Sequence, residues 1–145
     1  MKYYLILFLL CCGCAKPNYQ VTPMQQGPQA VGDEGFRLFS NYLGLHVKIV
    51  FEKGPNSGEE NLFTILFHTS TDATPVAVNE AISVVLWMPS MGHGSSPVKV
   101  QKVADGVYRA SQVYFIMPGD WEIRLQIKNQ ETSNVVEQIT HKLDI

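Results

Sequence analysis

The sequence predicts an all-β domain, an antiparallel β-sandwich of about seven strands spanning residues 36–145. Three observations predict it. Apolar residues recur with period two through most of the chain after Leu45, the spacing of a strand with one face buried and one face wet. Turn-forming clusters of Gly, Pro, Asn, Asp and Ser separate these runs, and no stretch of the domain shows a convincing helical period.

Taken in order, residues 1–13 read as a leader. Lys2 supplies a positive start, and Tyr3 to Leu10 form an unbroken apolar run too short to span a bilayer as a mature helix. From Ala15 to about Gly35 the chain is rich in Pro, Gln, Gly and Asn, the composition of a flexible tether. Phe36 to Tyr42 is more apolar and reads either as a short helix or as an opening strand.

The first clear strand has Leu45, Val47, Ile49 and Phe51 alternating with His46, Lys48 and Glu52, and Gly54 to Gly58 ends it. Phe63, Ile65 and Phe67 make the second, ended by the Ser70 to Pro75 turn segment. Ile82, Val84 and Leu86 mark the third, through Met88, and a brief fourth runs from Val98 to Lys102. Val107 to Ile116 is the fifth. Its Tyr108 and Ala110 share one parity while Val113 and Phe115 share the other, which predicts a β-bulge near Ser111-Gln112. Trp121, Ile123, Leu125 and Ile127 then alternate with Glu122, Arg124, Gln126 and Lys128 without exception, and Val135, Ile139 and Leu143 mark the last strand.

The chain carries 11 basic and 13 acidic residues, and loss of Lys2 with the leader makes it one unit more acidic. With no basic cluster, neither nucleic acid nor an electrostatic membrane surface is expected as a partner. All three cysteines fall between Cys11 and Cys14. Cleavage before Cys14 leaves one thiol, so no disulfide forms within the mature chain and the core must stabilise the fold.

Gly13-Cys14 at the end of the apolar run resembles the lipobox of bacterial lipoproteins, with Cys11 at the position where that pattern prefers Leu. The resemblance implies acylation of Cys14 and a chain facing the periplasm or outer cell envelope. Two or three acyl chains suffice for stable anchoring, since each buried methylene contributes about 0.8 kcal/mol. Ala15 in place of an Asp favours the outer membrane if the source is diderm.

Chemistry concentrates in Trp87-Met88-Pro89-Ser90-Met91-Gly92-His93-Gly94. Thioethers and imidazole suit Cu(I), a soft ion, and do not depend on a thiolate that oxidation would destroy. Met117, before Pro118-Gly119-Asp120, is a further candidate ligand if the third and fifth predicted strands meet at one end. The residues leave a second reading open, in which Met88 and Met117 fill the end of the core and Met91 and His93 are loop residues. Trp87 and Trp121 read as core residues that could also wall the site from water. His46, His68 and His141 read as solvated or locally bonded imidazoles. Ser95-Ser96 lacks a nucleophile elbow and an orienting carboxylate, so no enzyme is expected.

Met-Pro-x-Met-x-His at residues 88–93, Gly-x-Tyr at 106–108 and Met-Pro-Gly-x-Trp at 117–121 together resemble the YtkA-like domain, which is related to the periplasmic part of FixH proteins. The resemblance covers about Leu45 to Lys128. It implies an immunoglobulin-like sandwich in an exported protein from a copper-handling or respiratory-oxidase-assembly context, with Met88, Met91, His93 and Met117 on the Met/His positions. Unlike FixH, this chain shows no retained transmembrane helix. The expectation is a lipid-anchored protein that sequesters Cu(I) or delivers it to an envelope copper-handling or oxidase-assembly partner. The alternative is a metal-free interaction or scaffold lipoprotein.

Overall fold

The computed structural model describes residues 35–69 and 74–145. The leader, Cys14 and all of the expected tether except Gly35 lie outside the described residues. Nine strands form among the described residues: β1 (Phe36–Ser40), β2 (Leu45–Lys53), β3 (Glu60–His68), β4 (Ala81–Met88), β5 (His93–Gly94), β6 (Lys99–Ala104), β7 (Val107–Tyr114), β8 (Asp120–Lys128) and β9 (Val135–Asp144). Every pairing between them is antiparallel. One sheet has the order β1-β2-β3-β7-β6 and the other β5-β4-β8-β9, so the fold is an all-β sandwich.

Seven of these strands are the expected ones, and β1 and β5 are additional. The ambiguous Phe36 to Tyr42 segment is a strand because it pairs with β2, from Phe36 opposite Ile49 to Ser40 opposite Leu45. The fifth expected strand stops at Tyr114 rather than Ile116. The expected bulge is present on β7. Asn61 faces Val113 while Phe63 faces Ala110, which leaves one extra residue on β7. Gln112 takes a positive φ of 57°, and its backbone N–H donates to Glu60 at 2.8 Å. As a result Tyr108 and Ala110 on one parity and Val113 and Phe115 on the other all reach the core.

The core is the layer between the sheets. Val47 and Ile49 of β2, Phe63, Ile65 and Phe67 of β3, and Ile123, Leu125 and Ile127 of β8 are completely buried. Full burial of such a side chain is worth about 1.5–3 kcal/mol. An exposed ion pair such as Arg109–Glu52, both partners more than a third exposed, is worth about 0–1 kcal/mol. No cysteine lies among the described residues, so apolar burial dominates the stability of this body.

One open side of the sandwich is closed by contacts between β1 and β9. Ser40 donates its hydroxyl to the Glu137 carboxylate, and the Asn41 backbone N–H donates to the same group at 2.9 Å. Further along, the Phe36 ring lies over His141, with centroids 3.8 Å apart. Burial holds the His141 pKa below its ordinary 6.5, and its Nε2 finds no hydrogen-bond partner. The expectation of a solvated imidazole at 141 is therefore corrected: the side chain packs against an aromatic ring.

This burial predicts a pH effect. The unfolded chain takes up a proton at position 141 near pH 6.5, whereas the folded chain resists it until lower pH. Stability contributed by the neutral ring is present above that value and is lost as pH falls through the depressed folded pKa. Thermal unfolding between pH 7.5 and 5 should show a shallower acid loss in His141→Phe than in wild type, and identical slopes would contradict this account.

Candidate functional site

The site residues lie where β4 ends. Val84, Leu86 and Met88 run along the inner face of β4, and Met88 is only 4% exposed. The chain then reverses. Met91 N–H and Gly92 N–H donate to the Met88 carbonyl at 3.2 and 3.0 Å, closing a tight turn in which Gly92 has a φ of +65°. Glycine enters that left-handed region without the cost a Cβ would bring. The returning strand comes so close that a Cβ on Gly94 would stand 2.8 Å from the Leu86 carbonyl oxygen.

This hairpin sets Met88 directly opposite His93 and Trp87 opposite Gly94. Directly paired residues of an antiparallel ladder project from the same face. His93 is thus carried on the Met88 side of the sheet, at its rim, and is half-buried. Its Nδ1 lies 3.2 Å from the Gly94 carbonyl oxygen. A carbonyl only accepts, so Nδ1 carries the hydrogen and Nε2 of the neutral ring keeps its lone pair. In that tautomer Nε2 is the nitrogen able to ligate.

Met117 stands in the β7–β8 connection. Trp121 Nε1 donates to its carbonyl at 2.9 Å, and Gly119 exchanges backbone hydrogen bonds with Ile145 at 2.9 and 3.1 Å. These bonds pin the turn against the body, and the Met117 side chain packs on the core. A Cβ on Gly119 would stand 2.7 Å from the terminal methyl of Met88, so Met88 touches the turn that follows Met117. The structure therefore brings Met88, His93 and the Met117 turn to one end of the sandwich. Met91 projects from the tip of the hairpin turn, 57% exposed.

The two tryptophans differ. Trp121 is buried and meets Phe115 edge to face at 5.5 Å, as expected of a core residue. Trp87 corrects the expectation. It lies on the outer face of β4, half-buried, with the Arg124 guanidinium 4.8 Å from its ring centroid. Glu122 holds that guanidinium through bonds of 2.7 and 2.9 Å. The parity of β4 turns Trp87 away from Met88, so Trp87 does not shield the Met/His end from water. Ser95 donates its hydroxyl to the Tyr114 carbonyl, which ties the chain after β5 across to β7.

Among the described residues no group of three or more His, Cys, Asp or Glu side chains could hold a metal ion. A metal at this end would therefore need the thioethers. The donor set fits a soft monovalent ion: thioethers contribute no charge and lose no proton, and His93 offers one imidazole nitrogen. Hard ions would require clustered carboxylates.

A two-layer antiparallel sandwich with methionine and histidine gathered at one end defines the class of domain. A model of the YtkA-like family matches residues 39–126, more than half of the chain, and the chain belongs to that family. The match contains Met88, Met91, His93 and Met117. No curated protein matches the chain.

The differing burial of the methionines predicts differing stability effects in the metal-free protein. Met88→Ala should lower the unfolding free energy by about 2–5 kcal/mol, the range for truncating a buried Met. Met91→Ala, at an exposed turn, should stay within about 0.5 kcal/mol of wild type. Denaturant titration checks both, and equal destabilisation by the two variants would contradict the packing described.

Proposed function

We propose that this chain is a cell-envelope lipoprotein, anchored to a membrane through acylated Cys14, that binds copper as Cu(I) to sequester it or pass it to an envelope partner. Met88, Met91, His93 and Met117 are the proposed ligands. The observation that carries the reading is the cross-strand pairing of Met88 with His93, next to the turn that follows Met117. It supports a soft-metal site because two donors of the required type occupy one face in a register fixed by the hairpin. Membership of the YtkA-like family is consistent with it.

In this reading the residues divide their work. Among the proposed ligands only the His93 imidazole binds through a nitrogen lone pair for which protons compete with the metal. Exposed Met91 is the group able to meet an incoming ion or an exchange partner, while buried Met88 is held in place by packing. Gly92 keeps the turn tight, which keeps Met91 within three residues of both strands' ends. The protein acts by binding and release and performs no covalent chemistry.

Competition for Cu(I) against a chromogenic chelator under reducing conditions tests the reading. Wild type should hold copper more tightly than Met91→Ala/His93→Ala by at least about tenfold, which is 1.4 kcal/mol or more. That double variant leaves Met88 in the core, so loss of binding is not loss of fold. Equal, weak competition by both proteins would instead favour the metal-free scaffold, with Met88 and Met117 serving as core filler. Anchoring is tested separately: Cys14→Ala should abolish labelled palmitate incorporation and release the chain from the membrane fraction, and retention of both would overturn the lipidation assignment.

A further inference from the structure

A second pair of metal-ligating side chains lies outside the Met/His end. His46 of β2 and His68 of β3 are register partners. Their chain neighbours Val47 and Phe67 are completely buried, so both imidazoles project from the outer face of the five-stranded sheet. Glu60, at the other end of β3, faces Tyr114 on the Met117 side of the sandwich. At about 3.3 Å per residue, the histidine pair stands roughly 26 Å along the strand from that point. The two clusters share no residue.

The two rings stack against each other. Their centroids are 5.6 Å apart with an interplanar angle of 24°. The Nδ1 of His68 lies 2.7 Å from the Thr69 carbonyl oxygen, which makes that nitrogen the donor and leaves Nε2 with its lone pair. Hydrogen bonding of the non-ligating nitrogen is the usual means of orienting a metal-binding histidine. Phe39 meets the His46 ring at 5.1 Å and 66°, which restricts that ring as well. Metal–nitrogen bonds of about 2.0–2.1 Å to two imidazoles at a tetrahedral angle place the ring centroids about 5.2 Å apart. The observed 5.6 Å is close to that separation, and turning the stacked rings about their side-chain torsions brings one nitrogen of each toward a common point.

Donor chemistry selects the type of ion. The donors that the register brings together here are imidazole nitrogens, which suit transition-metal ions better than hard ions held by carboxylate oxygen. Cu²⁺ heads the affinity order for nitrogen sites, with Zn²⁺ and Ni²⁺ below it. We propose that His46 and His68 form a surface site for a divalent transition-metal ion, Cu²⁺ foremost, with water completing the coordination. This assignment does not rest on Cu(I) binding at the other end.

The test uses the full chain and Cu²⁺ alone, in wild type, His46→Gln, His68→Gln and Met91→Ala/His93→Ala. The electron paramagnetic resonance spectrum of the wild type and of the Met91/His93 variant should show coupling to two imidazole nitrogens. Each single glutamine variant should lose at least about tenfold in Cu²⁺ affinity and retain one coupled nitrogen. Matching thermal unfolding of the variants would show that the sheet is intact. Unchanged affinity in either glutamine variant would overturn the assignment. So would loss of the signal in Met91→Ala/His93→Ala, or a wild-type spectrum without imidazole nitrogen, a result that needs no variant at all.

Discussion

The buried face of β8 is the constraint on which the rest of the structure depends. Trp121, Ile123, Leu125 and Ile127 are each at most 1% exposed, and their alternation leaves one register in which all four avoid water. A slip of one residue would expose all of them and bury Glu122, Arg124, Gln126 and Lys128. With β8 fixed, β4 can pair only so that Leu86 and Val84 join the same layer. The position of Met88 at the end of that layer follows, and the hairpin beyond it decides what faces Met88.

The site is thus a product of core packing as much as of the loop sequence. Had the turn after Met88 been one residue longer, Gly94 would have become the strand partner of Met88 and His93 would have fallen within the turn. Pro89, Gly92 and the close approach at Gly94 keep the connection short. The β7–β8 turn is set by a separate route, through the bulge at Gln112, the bond from Trp121 to Met117 and the pairing of Gly119 with Ile145. Two independent pieces of backbone therefore arrive at one end, and the methyl of Met88 lies where they meet.

Much of this was legible in residue order, for reasons that differ by element. β8 is readable because its period has no exceptions, and the β7 bulge because Ala110 and Val113 break parity while both are apolar. The two-residue β5 is not readable, since two residues have no period. Phe36 to Tyr42 is ambiguous in sequence because Phe39 and Tyr42 are large apolar residues on the wet side, 44% and 52% exposed. The four candidate ligands could be named from the types of their side chains. Their relation could not, because the partner of Met88 depends on a register that only the folded sheet defines. The same limit hid the histidine pair, whose members are 22 positions apart in the chain and adjacent in space. Trp87 reads as core from the general tendency of Trp toward burial, whereas the parity of β4 turns it outward, where Arg124 covers it.

X-ray absorption at the copper edge of the Cu(I)-loaded full chain tests the central claim most directly, since it reads the atoms around the ion. The account predicts a first shell dominated by sulfur with one imidazole nitrogen, and a loss of the nitrogen contribution in His93→Ala. A shell of nitrogen and oxygen alone, or one that His93→Ala leaves unchanged, would contradict it.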